Sequence, residues 1–142
     1  MKSYLEHANI SVVDPRKTIE FLLVAIPEWN LRGQGRYLND RDEQIEWFHI
    51  GDEQFYIAID SLGAGKAPYW TERFTGLNHL GFAVPNIEKL IDRLAQAGYQ
   101  LYHFGAEHPH RKNVYYMDEH RMQFEFVEYF SQQDDERNDY QL

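Results

Sequence analysis

The sequence predicts an α+β fold in which two tandem βαβββ modules form a curved mixed sheet around a central cleft. Three observations predict it: an ungapped internal repeat, a weaker repeat of a two-stranded hairpin, and a composition that removes the main alternatives. His7 to Leu22 reads HANISVVDPRKTIEFL, and an offset of 72 residues carries it onto His79 to Leu94, HLGFAVPNIEKLIDRL. The register pairs His7 with His79, Ile10 with Phe82, Val12 with Val84, Asp14 with Asn86, Lys17 with Lys89, Ile19 with Ile91 and Leu22 with Leu94. Self-similarity at a fixed offset is the mark of a duplicated supersecondary unit.

Each copy opens with a short alternating strand. Ala8, Ile10 and Val12 alternate with His7, Asn9 and Ser11, and Leu80, Phe82 and Val84 alternate with His79, Gly81 and Ala83. Successive strand side chains point to opposite faces, so one set is apolar and the other polar or small. A helix follows. Asp14 and Asn86 are suited to cap it, and Pro15 suits its first turn. Ile19, Leu22, Leu23 and Ile26 form one apolar stripe, and Ile87, Leu90, Ile91 and Leu94 the other. Gly98 is the expected cap at the end of the second helix. Residues Asn30 to Tyr37 and Tyr99 to Phe104 supply one further strand per copy. Hairpins then follow at Trp47 to Asp60 and Val114 to Val127, an offset of 67, with polar turns GDEQ and DEHR. The modules are thus expected over residues 4–61 and 78–130 of a single domain, joined by a Gly- and Pro-containing linker over 62–77. An acidic tail over 131–142 is expected to be a frayed helix or disordered.

Composition narrows the function classes. A chain of 142 residues with 43% hydrophobic and 15% aromatic residues can bury a core and is not a disordered acidic protein. A formal charge of −9 argues against nucleic acid or an anionic membrane as partner. The absence of cysteine removes disulfides and zinc–thiolate sites. No apolar run is long enough to span a bilayer, and the start, MKSYLEHANISVVD, lacks the layout of a signal peptide. The expected location is cytoplasmic.

Strand parity supplies the candidate site. With the apolar face of each first strand beneath its helix, His7 and His79 point into the concavity. Phe124 and Phe126 share the core face of the last strand, so Glu125 faces the concavity, and the 67-residue offset sets Glu125 opposite Ala58 in the repeat. Pairing the modules about a pseudo-twofold axis would gather His7, His79, Ala58 and Glu125. Two imidazoles and a carboxylate suit a divalent metal with positions left open. Glu125 sits in an aromatic strand, where an unpartnered carboxylate is costly. Glu128 falls on the other face. Tyr56, and Tyr115 or Tyr116 on the neighbouring strand, are expected to line the cleft. His103, His108, His110, Arg111 and Lys112 read either as a solvated polar loop or as an anion-binding lid, which adds His103 and Arg111 to the substrate-binding candidates. Trp70 reads as a packing anchor.

The paired modules, the histidine opening each first strand and the FEF segment at Phe124 to Phe126 resemble the glyoxalase / bleomycin resistance / dioxygenase superfamily, the vicinal oxygen chelate proteins. The resemblance covers Tyr4 to Tyr129. It implies a metal held from four positions, one in each first strand and one in each last strand; these fall on His7, His79, Glu125 and Ala58. Ala58 cannot ligate, and this sets the chain apart from the four-ligand glyoxalase I enzymes. A His, His, Glu set resembles instead the extradiol dioxygenases and the fosfomycin resistance transferases. Asp118, Glu119, His120 and Arg121 stand where an Asp-Pro-Asp-Gly turn is common. The resemblance implies a divalent metal (Fe, Mn, Zn or Ni), a small substrate with vicinal oxygens and a homodimer. The alternative it implies is a metal-free binding protein of the bleomycin resistance kind.

Overall fold

A computed structural model describes residues 1–141. The chain forms two compact units, Met1–Ala67 and Pro68–Leu142. The first contains β1 (His7–Ser11), α1 (Pro15–Ala25), β2 (Asn30–Leu38), β3 (Gln44–Gly51) and β4 (Tyr56–Asp60). The second contains β5 (His79–Ala83), α2 (Ile87–Gln96), β6 (His103–Phe104), β7 (Arg111–Met117), β8 (Gln123–Tyr129) and the short α3 (Asp134–Arg137). Each unit builds one four-stranded mixed sheet of the same order, β1-β4-β3-β2 and β5-β8-β7-β6. In each, the first strand runs parallel to the last, and the other pairs are antiparallel. The βαβββ repeat is therefore real at the level of topology, with strands starting at His7 and His79 and helices at Pro15 and Ile87.

The helix caps are local. Asp14 accepts a hydrogen bond from the Arg16 amide at 3.2 Å, and Asn86 accepts one from the Lys89 amide at 3.0 Å. Gly98 adopts φ +93, which ends α2 where a side chain would be strained. In α1 the buried stripe is Thr18, Phe21, Leu22 and Ala25, continued by Ile26 beyond the helix, while Ile19 and Leu23 are only half-buried. The expected stripe was thus rotated, because Phe21 is the largest apolar side chain of the helix and takes the deepest position. In α2, Ile87, Leu90 and Leu94 are buried as expected. Beneath the helices lie Ile10, Ile50, Ile57 and Ile59 in the first unit and Val114, Tyr116, Phe124 and Phe126 in the second. Burying each aliphatic side chain contributes about 1.5–3 kcal/mol.

Register refines the repeat. Ala58 pairs with Asn9 and Glu125 with Gly81, each two residues beyond the opening histidine. The 67-residue correspondence of Ala58 and Glu125 therefore holds. On the middle strand it slips by one: His49 opposes Ala58, whereas Tyr115 opposes Glu125. The second hairpin has one more loop residue, 118–122 against 52–55, and Arg121 takes φ +60 within it. The Asp118 carboxylate organises that loop, accepting from the amides of His120 at 2.9 Å and Met122 at 3.0 Å.

Two expectations are corrected. The second-module strand expected over Tyr99 to Phe104 is only two residues long, His103–Phe104. The tail is not frayed over its first part. The Arg111 guanidinium donates to the carbonyls of Arg137 and Asp139 at 3.3 and 3.4 Å, His108 Nε2 lies 3.2 Å from the Asp139 carbonyl, and Arg137 stacks over Tyr129 at 4.4 Å. A basic strand end thus captures the helix-terminal carbonyls of an acidic segment.

Candidate functional site

The second unit carries a connected polar cluster on the face opposite α2. His79 Nε2 lies 3.0 Å from Glu125 Oε2, and Glu125 Oε1 accepts from Asn113 Nδ2 at 2.8 Å. Tyr115 also hydrogen-bonds Glu125, and its phenol pKa is raised first by burial and then by the Glu125 charge. It is therefore a neutral donor. His103 stacks on Tyr115 with centroids 4.3 Å apart, and Trp70 stacks on His103 at 5.5 Å. The His103 Nδ1 donates to the Phe104 carbonyl at 3.0 Å, which leaves Nε2 as a buried acceptor without a partner.

The protonation of His79 follows from its neighbours. Asn78 Nδ2 donates to the Trp70 carbonyl at 3.0 Å, so its Oδ1 is the atom facing His79 Nδ1, also at 3.0 Å. A carbonyl oxygen only accepts, hence Nδ1 carries a proton. The lone pair or second proton on Nε2 then faces a carboxylate that can only accept. A proton shared between Nε2 and the carboxyl group satisfies this contact, and so would a cation. Ligands about 2.1 Å from one cation and at right angles stand about 3.0 Å apart, so the observed separation fits two adjacent ligand positions. The Nδ1–H to Asn78 contact fixes the orientation of the His79 ring.

The first unit presents His7 without a carboxylate in the equivalent place. His7 Nδ1 donates to Glu6 Oε1 at 2.9 Å, leaving Nε2 for another partner. Its ring stacks on Tyr56 at 4.7 Å and 9°, Tyr56 stacks on His49 at 4.6 Å, and Trp47 lies 5.0 Å from His49. Ala58, at 7% exposure, stands where Glu125 stands in the second unit. Among the described residues no group of three or more His, Cys, Asp or Glu side chains is placed to hold a metal ion. The structure thus joins His79 to Glu125 and sets His7 in the other unit.

The remaining candidates separate. Tyr56 stacks on His7, and Tyr115 lies beside Glu125. Tyr116 does not: it is buried to 1% exposure against Phe126 on the core face, and burial alone pushes its pKa up to about 12. The extra loop residue in the second hairpin makes Tyr115, not Tyr116, the partner of Glu125. His103 stacks beside the cluster, whereas Arg111 is engaged by the tail. Glu128 is on the core side, as parity predicts, and accepts from the Ile87 amide at 2.9 Å, satisfying the start of α2. Trp70, expected as a packing anchor, is exposed; its ring stacks on His103 and its carbonyl orients Asn78. Sequence reasoning missed Asn113, His49, Trp47 and Arg32. For Asn113 and His49 the signal was available, since both alternate with core residues on strands already recognised.

The fold is shared with known structures. The glyoxylase/bleomycin resistance protein/dioxygenase domain from Frankia sp. EAN1pec superposes with a TM-score of 0.71 at 19% identity, covering 98% of this chain and 100% of that one. A glyoxalase family protein from Bacillus cereus gives 0.70 at 15% identity, with 89% and 94% covered. The fosfomycin resistance protein FosX from Listeria monocytogenes, complexed with Mn(II) and sulfate, gives 0.62 at 19% identity, with 96% and 98% covered. No family model matches the chain, and no curated protein matches it. At these identities the likeness establishes the fold, that of the vicinal oxygen chelate proteins with tandem βαβββ modules.

Proposed function

We propose that the chain is a divalent-metal-dependent enzyme acting on a small substrate with neighbouring oxygens, with His7, His79 and Glu125 as the protein ligands. The observation that carries this reading is the His79–Glu125 pair. Asn78 orients the His79 ring through Nδ1, so Nε2 and a Glu125 oxygen meet at 3.0 Å, a spacing that suits two neighbouring ligands of one cation. A bound divalent ion would polarise the substrate oxygens as a Lewis acid. Asn113 and Tyr115 hold the Glu125 carboxylate in one orientation, and Glu6 does the same for the His7 ring. Tyr115 remains a neutral phenol whose single O–H is held by Glu125, and the His103 ring covers one face of it. The missing fourth ligand at Ala58 leaves more than one position for substrate or water. FosX, a neighbour in fold, is described with Mn(II), which supports the choice of a first-row divalent ion. The reading includes a homodimer.

A second reading has a specific observation behind it. The proton can stand in place of the cation between His79 and Glu125, and the aromatic ladder of the first unit is a ligand surface that needs no metal. On that reading the chain is a metal-free binding protein. Elemental analysis of anaerobically purified chain separates the two. The enzyme reading expects close to one equivalent of Mn or Fe per chain. Metal-free protein that nevertheless gains thermal stability with small aromatic ligands would favour the binding reading.

A further inference from the structure

The first unit contains a cation that the metal reading does not use. Residues Leu31 and Gly33 of β2 pair with Ile50 and His49, so Arg32 is an extra residue in the ladder. Such a bulge sets two residues opposite one and re-aims a side chain. Here it brings Arg32 and Gly33 opposite His49, and the Arg32 guanidinium lies over the Tyr56 ring at 4.4 Å. Among the described residues the guanidinium makes no hydrogen bond and no ion pair. Its five N–H donors are left to solvent or ligand.

The surface beside it is flat and aromatic. Tyr56 is stacked between His7 and His49, and Trp47 continues the row. Gly33 and Gly35 lie across from His49 and Trp47. A Cβ at Gly35 would come within 2.7 Å of the indole, so the ring lies directly over that glycine backbone. The two glycines thus make room for the Trp47 indole, which packs over their backbone. Burial and the nearby Arg32 and His7 depress the His49 pKa, which favours its neutral ring at neutral pH.

We propose that this face binds the planar, anionic end of the substrate, an aromatic carboxylate held by the Arg32 fork with its ring set against the Trp47 indole and the rim of the Tyr56–His49 stack. A guanidinium grips a carboxylate bidentately, and an aromatic ring gains stacking contact beyond its buried area. The net charge of −9 repels anions in general, so a local cation whose N–H donors make no hydrogen bond has a use in admitting one, even with the Asp52 carboxylate in reach of its charge. The proposal names a substrate class for the enzyme reading and rests on that reading only in calling the ligand a substrate.

The test uses the full chain, stripped with chelator and labelled with ¹⁵N, titrated with benzoate, benzamide and inorganic phosphate. The readout is the Trp47 indole N–H resonance, assigned with Trp47→Phe. Benzoate should shift it saturably. Benzamide should bind at least about ten-fold more weakly, and phosphate should leave the resonance in place. Arg32→Gln should weaken benzoate by about ten-fold or more with unchanged melting temperature, and Arg32→Lys should fall between. Equal binding of benzoate and benzamide, an equal response to phosphate, or full benzoate affinity in Arg32→Gln would overturn the proposal. Because no metal is present, this result stands apart from metal binding at His79 and Glu125, which is measured separately.

Discussion

Gly105→Ala probes how the Glu125 carboxylate is held. A Cβ at Gly105 would lie 2.0 Å from Asn113 Oδ1 and 2.2 Å from its Nδ2 and Cγ, closer than any real contact. The atoms it meets are the amide end of a side chain, so the backbone need not distort. Asn113 must swing away and give up its 2.8 Å bond to Glu125. A hydrogen bond to a charged group is worth about 1.5–3 kcal/mol. Gly105 is not in the positive-φ region, so the alanine also gains about 0.4–1 kcal/mol through the unfolded chain. The net expectation is a loss of about 1–2 kcal/mol in urea unfolding at pH 7. The decisive arm is the double-mutant cycle. With Asn113→Ala the space is open, and Gly105→Ala should then be neutral or slightly stabilising. Equal cost in both backgrounds would refute the argument that Gly105 is required by Asn113.

Other predictions follow from single contacts. Folding favours neutral His49, so its folded pKa lies below the ordinary 6.5, and as pH falls past 6.5 the unfolded chain takes up the proton first. Stability should be lost on acidification from pH 7.5 to 5.5, and His49→Gln should lose less in matched thermal melts; an identical loss would contradict this. Ala58→Glu places a carboxylate at a nearly buried position and should cost about 1–3 kcal/mol without metal, while tightening Mn(II) binding by about ten-fold or more. A variant that is destabilised and gains no affinity would show that Ala58 does not face the site. Arg111→Ala should accelerate amide exchange over residues 131–141 with less than about 1 kcal/mol change in global stability, since it removes only surface contacts to the tail carbonyls.

Much of the fold was legible because it is written twice. The 72-residue repeat set the first strand and helix of each module, and parity on β5 and β8 set His79 and Glu125 on one face, where they meet at 3.0 Å. The errors arose where the copies differ. A one-residue difference in hairpin loop length moved Tyr116 into the core and Tyr115 beside Glu125; parity from an assumed common offset cannot detect such a slip. The β2 bulge that aims Arg32 has no counterpart in the second module, so no repeat could reveal it. The tail looked polar enough to fray, but its backbone carbonyls are held by His108 and Arg111. Asn113 was overlooked because an amide on a strand is ordinary in sequence and acquires its meaning only from contact with Glu125.

The central claim is a metal held by His7, His79 and Glu125, and calorimetric titration of Mn(II) into chelator-stripped protein tests it most directly. The wild-type chain should bind one equivalent. His7→Ala, His79→Ala and Glu125→Gln should each weaken binding by more than about 100-fold, the upper reach of the losses caused by changing an outer partner of a metal ligand. Each variant should keep a cooperative melt, and Glu128→Gln should retain full affinity. The absence of saturable Mn(II) binding, or binding that survives in Glu125→Gln and His79→Ala, would contradict the account.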